Sequence, residues 1–272
     1  MRKMPKIEEW YNLEGRVVLL TGATGKLGPG YARVLSECGA NVVLADLESA
    51  RCKELEARLR ADFGTEPLGL PMDITRKEEV ERGVASILER FGRIDVLINN
   101  AAYHQLGHVV GAEVTGFEEF PLDLWQQTLD VNLTGAFLCC QAVGKAMVRQ
   151  GGGVILNIAS VYGVVAADQR IYGTSGLNSN VAYATTKSGL LNFTRFLASY
   201  WQGKNIRVNS LSPGGVFAGQ DSYFLEQYNY RTMLGRMASP DDLSAAVLYL
   251  VSDASKFVTG FNLVVDGGFT AW

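Results

Sequence analysis

Histidine is scarce in this chain. Among 272 residues only His104 and His108 occur, four apart in a glycine-containing segment with no cysteine or carboxylate cluster beside them. Two such imidazoles make a poor metal site, so no metal is expected and both read as loop residues near the mouth of a binding site. Cysteine is scarce too: Cys38, Cys52, Cys139 and Cys140 form neither a C-x-x-C pair nor the dense framework of a small secreted domain. They read as packing residues in a reducing compartment. Charge of one sign is not in excess, since 25 Lys and Arg against 28 Asp and Glu leave a net charge of −3. That balance offers no basic field for a phosphate backbone, and nucleic acid is not an expected partner. No run of about 18 apolar residues is present, and the segment Met1 to Glu14 mixes Lys and Arg with Glu and has no apolar signal core. No membrane partner is expected, and the expected location is cytoplasmic. A Ser- or Pro-rich linker and an internal repeat are also missing.

What is present is an ordinary globular composition, 47% hydrophobic and 19% charged. The expected organisation is an N-terminal extension, residues 1–14, and one domain, residues 15–272. Short β-branched runs at Val17 to Leu20, Asn41 to Ala45, Leu68 to Met72, Val96 to Ile98, Val154 to Ile158, Arg207 to Leu211 and Leu263 to Val265 read as strands. Between them, Gly28 to Cys38, Ala50 to Phe63, Lys77 to Phe91, Leu133 to Arg149, Ala182 to Trp201 and Pro240 to Val251 carry a helical period. This alternation predicts an α/β fold: a doubly wound, parallel seven-stranded sheet of Rossmann type with helices on both faces. Two long stretches, Tyr103 to Phe120 and Val161 to Asn180, read as irregular, either binding loops or simple surface insertions.

Directly after the first strand comes Thr21-Gly22-Ala23-Thr24-Gly25-Lys26-Leu27-Gly28-Pro29-Gly30. Glycines there let the backbone approach a pyrophosphate, and the following helix N-terminus offers free N–H groups and partial positive charge. Asp46, 18 residues beyond Gly28, closes the second strand. A carboxylate at that point accepts hydrogen bonds from ribose hydroxyls and repels the extra phosphate of NADP. NAD is therefore favoured over NADP, with Lys26 as the reservation, since a cation in the same turn could counter that repulsion. The plainer reading of Asp46 is a solvated strand-end carboxylate.

In the second half Ser160 follows a strand, and Tyr183 and Lys187 stand at i and i+4 early in a long helix, so they share one face. A phenol with pKa about 10 is a poor base near neutrality, and a neighbouring ammonium would bring it toward the working range. Ser160 could then hold a substrate oxygen while Tyr183 exchanges its proton. Alone, Tyr-x-x-x-Lys reads as an amphipathic helix with a snorkelling lysine.

Taken in order, Thr21-Gly22 with its glycine turn, Asp73-Ile74, Asn99-Asn100-Ala101-Ala102, Asn132, Ser160, Tyr183 with Lys187, Pro213-Gly214 and Asp266-Gly267-Gly268 resemble the short-chain dehydrogenase/reductase family over about Leu13 to Gly268. The resemblance implies interconversion of a secondary alcohol and a ketone through a Ser160-Tyr183-Lys187-Asn132 site. It places Gly22, Gly25, Lys26, Leu27 and Gly28 at the pyrophosphate, Asp46 and Leu47 at the adenosine ribose, and Asp73 and Ile74 near adenine. Asn100, Ala101 and Ala102 should line the cofactor cleft, Pro213, Gly214 and Tyr183 should also contact the cofactor, Val216 should meet the carboxamide, and Lys187 should bind the nicotinamide ribose. Asn132 should hold a helix kink and a water.

Three departures stand out. Lys26 replaces a usual glycine, in a spacing shared with the longer epimerase and dehydratase branch. Ala218 stands where a threonine commonly supplies a phosphate contact. Ser160 precedes Tyr183 by 23 residues, a wider gap than usual. The inserted loop carries Asp168, Gln169, Arg170, Tyr172, Thr174, Ser175, Asn178 and Ser179, side chains suited to the hydroxyls of a sugar, or equally to a solvated surface. Ser160 to Gly163, Ser212 to Phe217 and the C-terminal Asp266 to Trp272 resemble members found in flagellin-modification and nonulosonic-acid sugar pathways, which implies a sugar or sugar-nucleotide substrate. The aromatics from Tyr223 to Tyr230 read as a lid helix or as plain packing. Trp272 has no obvious place in a monomer core, and the resemblance implies a homo-oligomer, tetramer or dimer. Alternatives are an epimerase or dehydratase that retains its NAD and a non-catalytic dinucleotide sensor. An enoyl reductase is disfavoured by Leu190, seven residues beyond Tyr183, where that branch carries a lysine.

Overall fold

The computed structural model describes residues 5–104, 109–110, 113–114, 116–175 and 177–272. Its strands are β1 (Val17–Thr21), β2 (Asn41–Asp46), β3 (Leu68–Pro71), β4 (Val96–Asn99), β5 (Val109–Val110), β6 (Glu113–Val114), β7 (Gly153–Ile158), β8 (Ile206–Pro213) and β9 (Asn262–Val265). Its helices are α1 (Ile7–Tyr11), α2 (Gly28–Glu37), α3 (Ser49–Phe63), α4 (Lys77–Phe91), α5 (Leu122–Leu129), α6 (Ala136–Gln150), α7 (Val181–Tyr200), α8 (Ser222–Arg231) and α9 (Asp241–Val251). All seven expected strands form within two residues of their expected ends. The short antiparallel pair β5–β6 lies within the stretch read as irregular.

The seven strands run parallel in the order β3-β2-β1-β4-β7-β8-β9. Side chains alternate between faces, and each face has its own core. Val18 and Leu20 of β1 join Val42, Leu44, Ile98 and Leu156 beneath α2 and α9. Val17 and Leu19 join Val43, Leu97 and Ile155 against α4 and α6 on the other side. Strands buried on both faces are near-continuous apolar runs, which is why the sequence shows no alternation in them.

Leu13 lies two residues ahead of the boundary expected at residue 15. Its side chain is fully buried in the α2/α9 core and its N–H donates to the Cys38 carbonyl at 2.8 Å, so the packed body begins before β1.

The helix expected to begin at Leu133 is part of a longer one. α5, a π-helical turn over Asp130–Gly135 and α6 follow without interruption. Counted together, Leu122–Gln150 is long and apolar enough to cross a bilayer, but half of its most apolar window is buried inside the protein. Its apolarity serves the core. Successive strands run outward from β1 to β3, and the chain then returns to place β4 on the other side of β1. A crevice opens at the carboxyl ends of strands where the order reverses, the usual ligand position in such sheets.

Candidate active site

A cleft of about 890 Å³ lies at that edge. Every strand from β1 to β4, together with β7 and β8, delivers residues to it: Gly22, Asp46, Asp73, Asn100, Ser160 and Pro213 all line it. Gly25, Lys26, Leu27, Leu47, Ile74, Ala101, Ala102, Tyr183, Lys187, Gly214 and Val216 do so as well. Gly28 and Asn132 stand behind the wall.

The glycine turn is compact because nothing larger fits. Gly22 has φ +62°, and a Cβ on it would lie 2.6 Å from the Ala101 Cα; a Cβ on Gly28 would lie 2.4 Å from the Ala23 carbonyl oxygen. Asn100 fastens the turn to β4, its side-chain N–H groups donating to the carbonyls of Thr21 at 3.0 Å and Gly22 at 2.9 Å. α2 begins here with no side chain capping it. A cradle of bare backbone opening on a helix N-terminus fits the pyrophosphate of a dinucleotide.

Asp46 is engaged more fully than a ribose-binding role requires. One carboxylate oxygen accepts from Thr24 N at 2.9 Å and Thr24 Oγ1 at 2.8 Å, and the other accepts from Leu47 N at 2.8 Å. A carboxylate offers about four acceptor positions, so capacity remains for a ligand. The cation at this corner is Arg51, whose guanidinium donates to the Thr24 carbonyl at 2.5 Å. Lys26 points elsewhere: its ammonium donates to the Val216 carbonyl across the cleft, so it does not offset Asp46 as the sequence reading allowed. Asp73 accepts from Thr75 N at 2.9 Å and Thr75 Oγ1 at 2.7 Å, while the Ile74 side chain packs on Gly135 of the π turn.

On α7, Asn180 caps the helix by accepting from Tyr183 N at 3.0 Å, which fixes where the first turn points. Ser160 and Tyr183 both line the cleft, the Ser160 hydroxyl on the side of the phenol. Ser160 is 7% exposed and Lys187 only 2%. The Lys187 ammonium donates to the Ile158 carbonyl at 2.7 Å and lies 5.4 Å from the centre of the Tyr183 ring. The electrostatics differ from the simple pairing expected from spacing. Burial raises the Tyr183 pKa, opposed by the Ser160 hydroxyl, and burial also brings Lys187 down to about 7. One cause acts on both, since desolvation penalises phenolate and ammonium alike.

Asn132, 1% exposed, sits in the π turn and clamps the loop after β4. Its Oδ1 accepts from Tyr103 N at 2.7 Å, and its Nδ2 donates to Tyr103 O at 3.1 Å and to Thr186 Oγ1 at 3.2 Å.

Comparison with known proteins decides what this arrangement belongs to. A family model described as enoyl-(acyl carrier protein) reductase matches residues 22–270. The chain is 36% identical over 265 residues to the D-threitol dehydrogenase of Mycolicibacterium smegmatis, covering 96% of this chain and 95% of that protein. It is 34% identical over 268 residues to the NAD-dependent glycerol dehydrogenase of Listeria innocua, covering 96% of each. The post-translational flagellin modification protein A of Campylobacter coli is 30% identical over 94% of this chain and 99% of its own.

The chain belongs to the short-chain dehydrogenase/reductase family.

Among solved structures, a gluconate 5-dehydrogenase from Burkholderia cenocepacia in complex with NADP and tartrate superposes with TM-score 0.88 at 30% identity, covering 98% of this chain and all of that one. An NAD+-bound xylitol dehydrogenase gives TM-score 0.84 at 29% identity, covering 94% and 99%. This short-chain dehydrogenase/reductase thus shares its whole fold with oxidoreductases that bind either nicotinamide cofactor.

The inserted loop behaves differently from its composition. Asp168 caps a 3-10 turn, accepts from Arg170 N at 3.0 Å and pairs with Arg231 of α8. Gln169 accepts from Ser179 N at 2.8 Å, and Ser175 Oγ donates to Tyr172 O at 2.6 Å. Of the loop's polar side chains named above, only Tyr172 lines the cleft. Asp168, Gln169 and Ser175 instead hold the loop's own backbone, and Arg170 pairs with Asp168.

Residues that sequence reasoning did not single out for the cleft form its other wall. Tyr162, Phe224, Tyr228, Gln220 and Met237 line it with Tyr172. Tyr172, Phe224, Tyr228 and Phe269 stack in succession, with ring centres 5.3, 5.7 and 4.8 Å apart. α8 therefore does cover the site, through a small hydrophobic core that includes Val161 and Ile171. His104 lies over the site, its ring centre 4.2 Å from that of Tyr183. It is open to solvent on one side, yet protein atoms crowded round the ring and the charges of Lys187 and Lys26 hold its pKa down to about 4. His108 lies outside the described residues. Among those residues no three His, Cys, Asp or Glu side chains converge as metal ligands.

Proposed function

We propose that this enzyme oxidises a secondary alcohol of a small polyol or sugar derivative, with NAD as its preferred cofactor. The observation that carries the reading is that Ser160 and Tyr183 line one cleft with Lys187 buried beside them. Tyr183 Oη takes the proton of the substrate hydroxyl, and Ser160 Oγ holds that oxygen in place. Lys187 sets the potential under the phenol, and Asn132 fixes the loop that carries His104. When bound, the nicotinamide supplies the hydride acceptor. Asp46 favours NAD because its carboxylate stands where the added phosphate of NADP would bring more negative charge.

The choice of a polyol rests on two supports. The cleft wall presents the hydroxyl-bearing rings of Tyr162 and Tyr172. Relatives and structural neighbours carry names for threitol, glycerol, gluconate and xylitol. A homo-oligomer, dimer or tetramer, is part of the proposal: Phe137, Phe196 and Tyr200 are 46, 61 and 70% exposed around one groove on α6 and α7.

The test is formation of reduced nicotinamide, followed by absorbance, with NAD or NADP and a panel of polyols, aldonates, sugars, sugar nucleotides and hydroxysteroids. Turnover of short polyols with NAD supports the reading. Turnover confined to steroids or sugar nucleotides overturns the substrate class.

A further inference from the structure

Part of the glycine turn is already engaged within the protein. Three of its N–H groups are engaged within the protein: Ala23 N donates to Ala45 O at 3.3 Å, Thr24 N to Asp46 at 2.9 Å and Gly25 N to Gly22 O at 3.2 Å. On the opposite side of the cleft, Ala218 presents only a methyl group, and its N–H donates to Gln220 Oε1 at 2.7 Å. Of the two lysines lining the cleft, Lys187 is committed to the Ile158 carbonyl beneath Tyr183.

Lys26 is the other. It rises from the turn and donates to the carbonyl of Val216, two residues before Ala218, so that its side chain bridges turn and loop. Gln220 Nε2 donates to the same oxygen at 3.2 Å, which anchors that loop end. An ammonium has three donors, and the bond to Val216 uses one. No carboxylate of the described residues pairs with Lys26. A neutral carbonyl is a weak partner for a part-buried full charge, and a pyrophosphate is a far stronger one.

We propose that Lys26 is the pyrophosphate-binding cation of this chain, adding from the turn a charge-assisted contact to those of the remaining turn N–H groups, where the Ala218 methyl supplies none. The proposal rests on the dinucleotide reading above. It assigns a binding role to the residue by which the turn departs from an all-glycine cradle. It also makes the Lys26–Val216 bridge a strap that draws loop and turn together.

The experiment is calorimetric titration with ADP-ribose, which carries the pyrophosphate without the nicotinamide, at low and high salt. Lys26→Met should weaken ADP-ribose binding by about ten- to a hundredfold and flatten its salt dependence. Lys26→Arg, which keeps the charge, should stay within about threefold of the parent. Unchanged affinity and salt dependence in Lys26→Met would overturn the assignment and leave the dinucleotide reading standing. Equal loss in both variants would overturn it too, since charge would then not be the cause. Failure of the parent protein itself to bind ADP-ribose, NAD or NADP would overturn the dinucleotide reading and the assignment with it.

Discussion

The ammonium of Lys187 donates to the carbonyl oxygen of Ile158 at 2.7 Å from a position 2% exposed, so a lysine is held in the core by one neutral partner. Burial brings its pKa to about 7, below the ordinary value near 10.4 that it keeps in the unfolded chain. Between those values the unfolded chain binds more protons than the folded one, so this group makes stability rise with pH across the window. Its full cost is present below about pH 7. Thermal denaturation between pH 6 and about 10 should show that rise, and Lys187→Met should flatten it while raising the melting temperature at neutral pH. A slope unchanged in the variant would mean that Lys187 is charged in the folded protein throughout.

Tyr183→Phe removes the proton acceptor but keeps the ring against His104 and Lys187. Turnover should fall by about a hundred- to ten-thousandfold, with NAD affinity within about twofold of the parent by calorimetry. Because burial raises the Tyr183 pKa, the rate of alcohol oxidation in the parent should climb with pH above neutrality. Retained activity in the phenylalanine variant would remove Tyr183 from the chemistry.

Asp46→Ala should raise the ratio of kcat/KM for NADP over NAD. It should also weaken NAD binding more than loss of a ribose contact implies, because Thr24 N and Oγ1 both donate to this carboxylate and the turn would loosen. Steady-state kinetics with both cofactors checks the ratio, and an unaltered ratio would assign Asp46 to the turn alone.

Asp168 and Arg231 join the inserted loop to α8, with side chains 12% and 32% exposed. A double-mutant cycle with Asp168→Asn and Arg231→Gln should give a coupling of about 1 kcal/mol in stability. KM should rise more than kcat falls, since the pair sets the wall of the cleft and does not touch the reacting centre. Additive effects would show that loop and helix hold their places independently.

Asn132→Ala would remove the two hydrogen bonds by which this buried amide holds the Tyr103 backbone. A loss of about 1–3 kcal/mol in stability is expected, read from denaturant unfolding. Turnover should fall as well, through the loop that places His104 over Tyr183. Full turnover at reduced stability would confine Asn132 to a structural role.

Much of the fold could be read in the residues. Seven short runs became seven strands; the inner β1, β2, β4 and β7 are largely apolar because both their faces are buried, whereas the edge strands β3 and β9 are only half-buried. The helix starting at Leu122 escaped notice, although Pro121 ahead of it and Asp123 in its first turn are ordinary start signals. Its continuation through Asp130–Gly135 could not be read, since a π turn has no sequence signature that propensity detects.

In the site the division follows the range of the interaction. Gly22 and Gly28 in the turn, Asp46 at a strand end, and Tyr183 and Lys187 on one helix face are placed by local geometry, so their positions relative to their own elements could be read from spacing. The direction of Lys26 was decided by the Val216 carbonyl, 190 residues away. Asp168, Gln169 and Ser175 of the inserted loop pair with its own backbone, and Tyr162 and Tyr172 are the loop's hydroxyl-bearing side chains that line the cleft. Burial, which no single residue reveals, decided that Tyr183 and Lys187 shift away from their charged forms together.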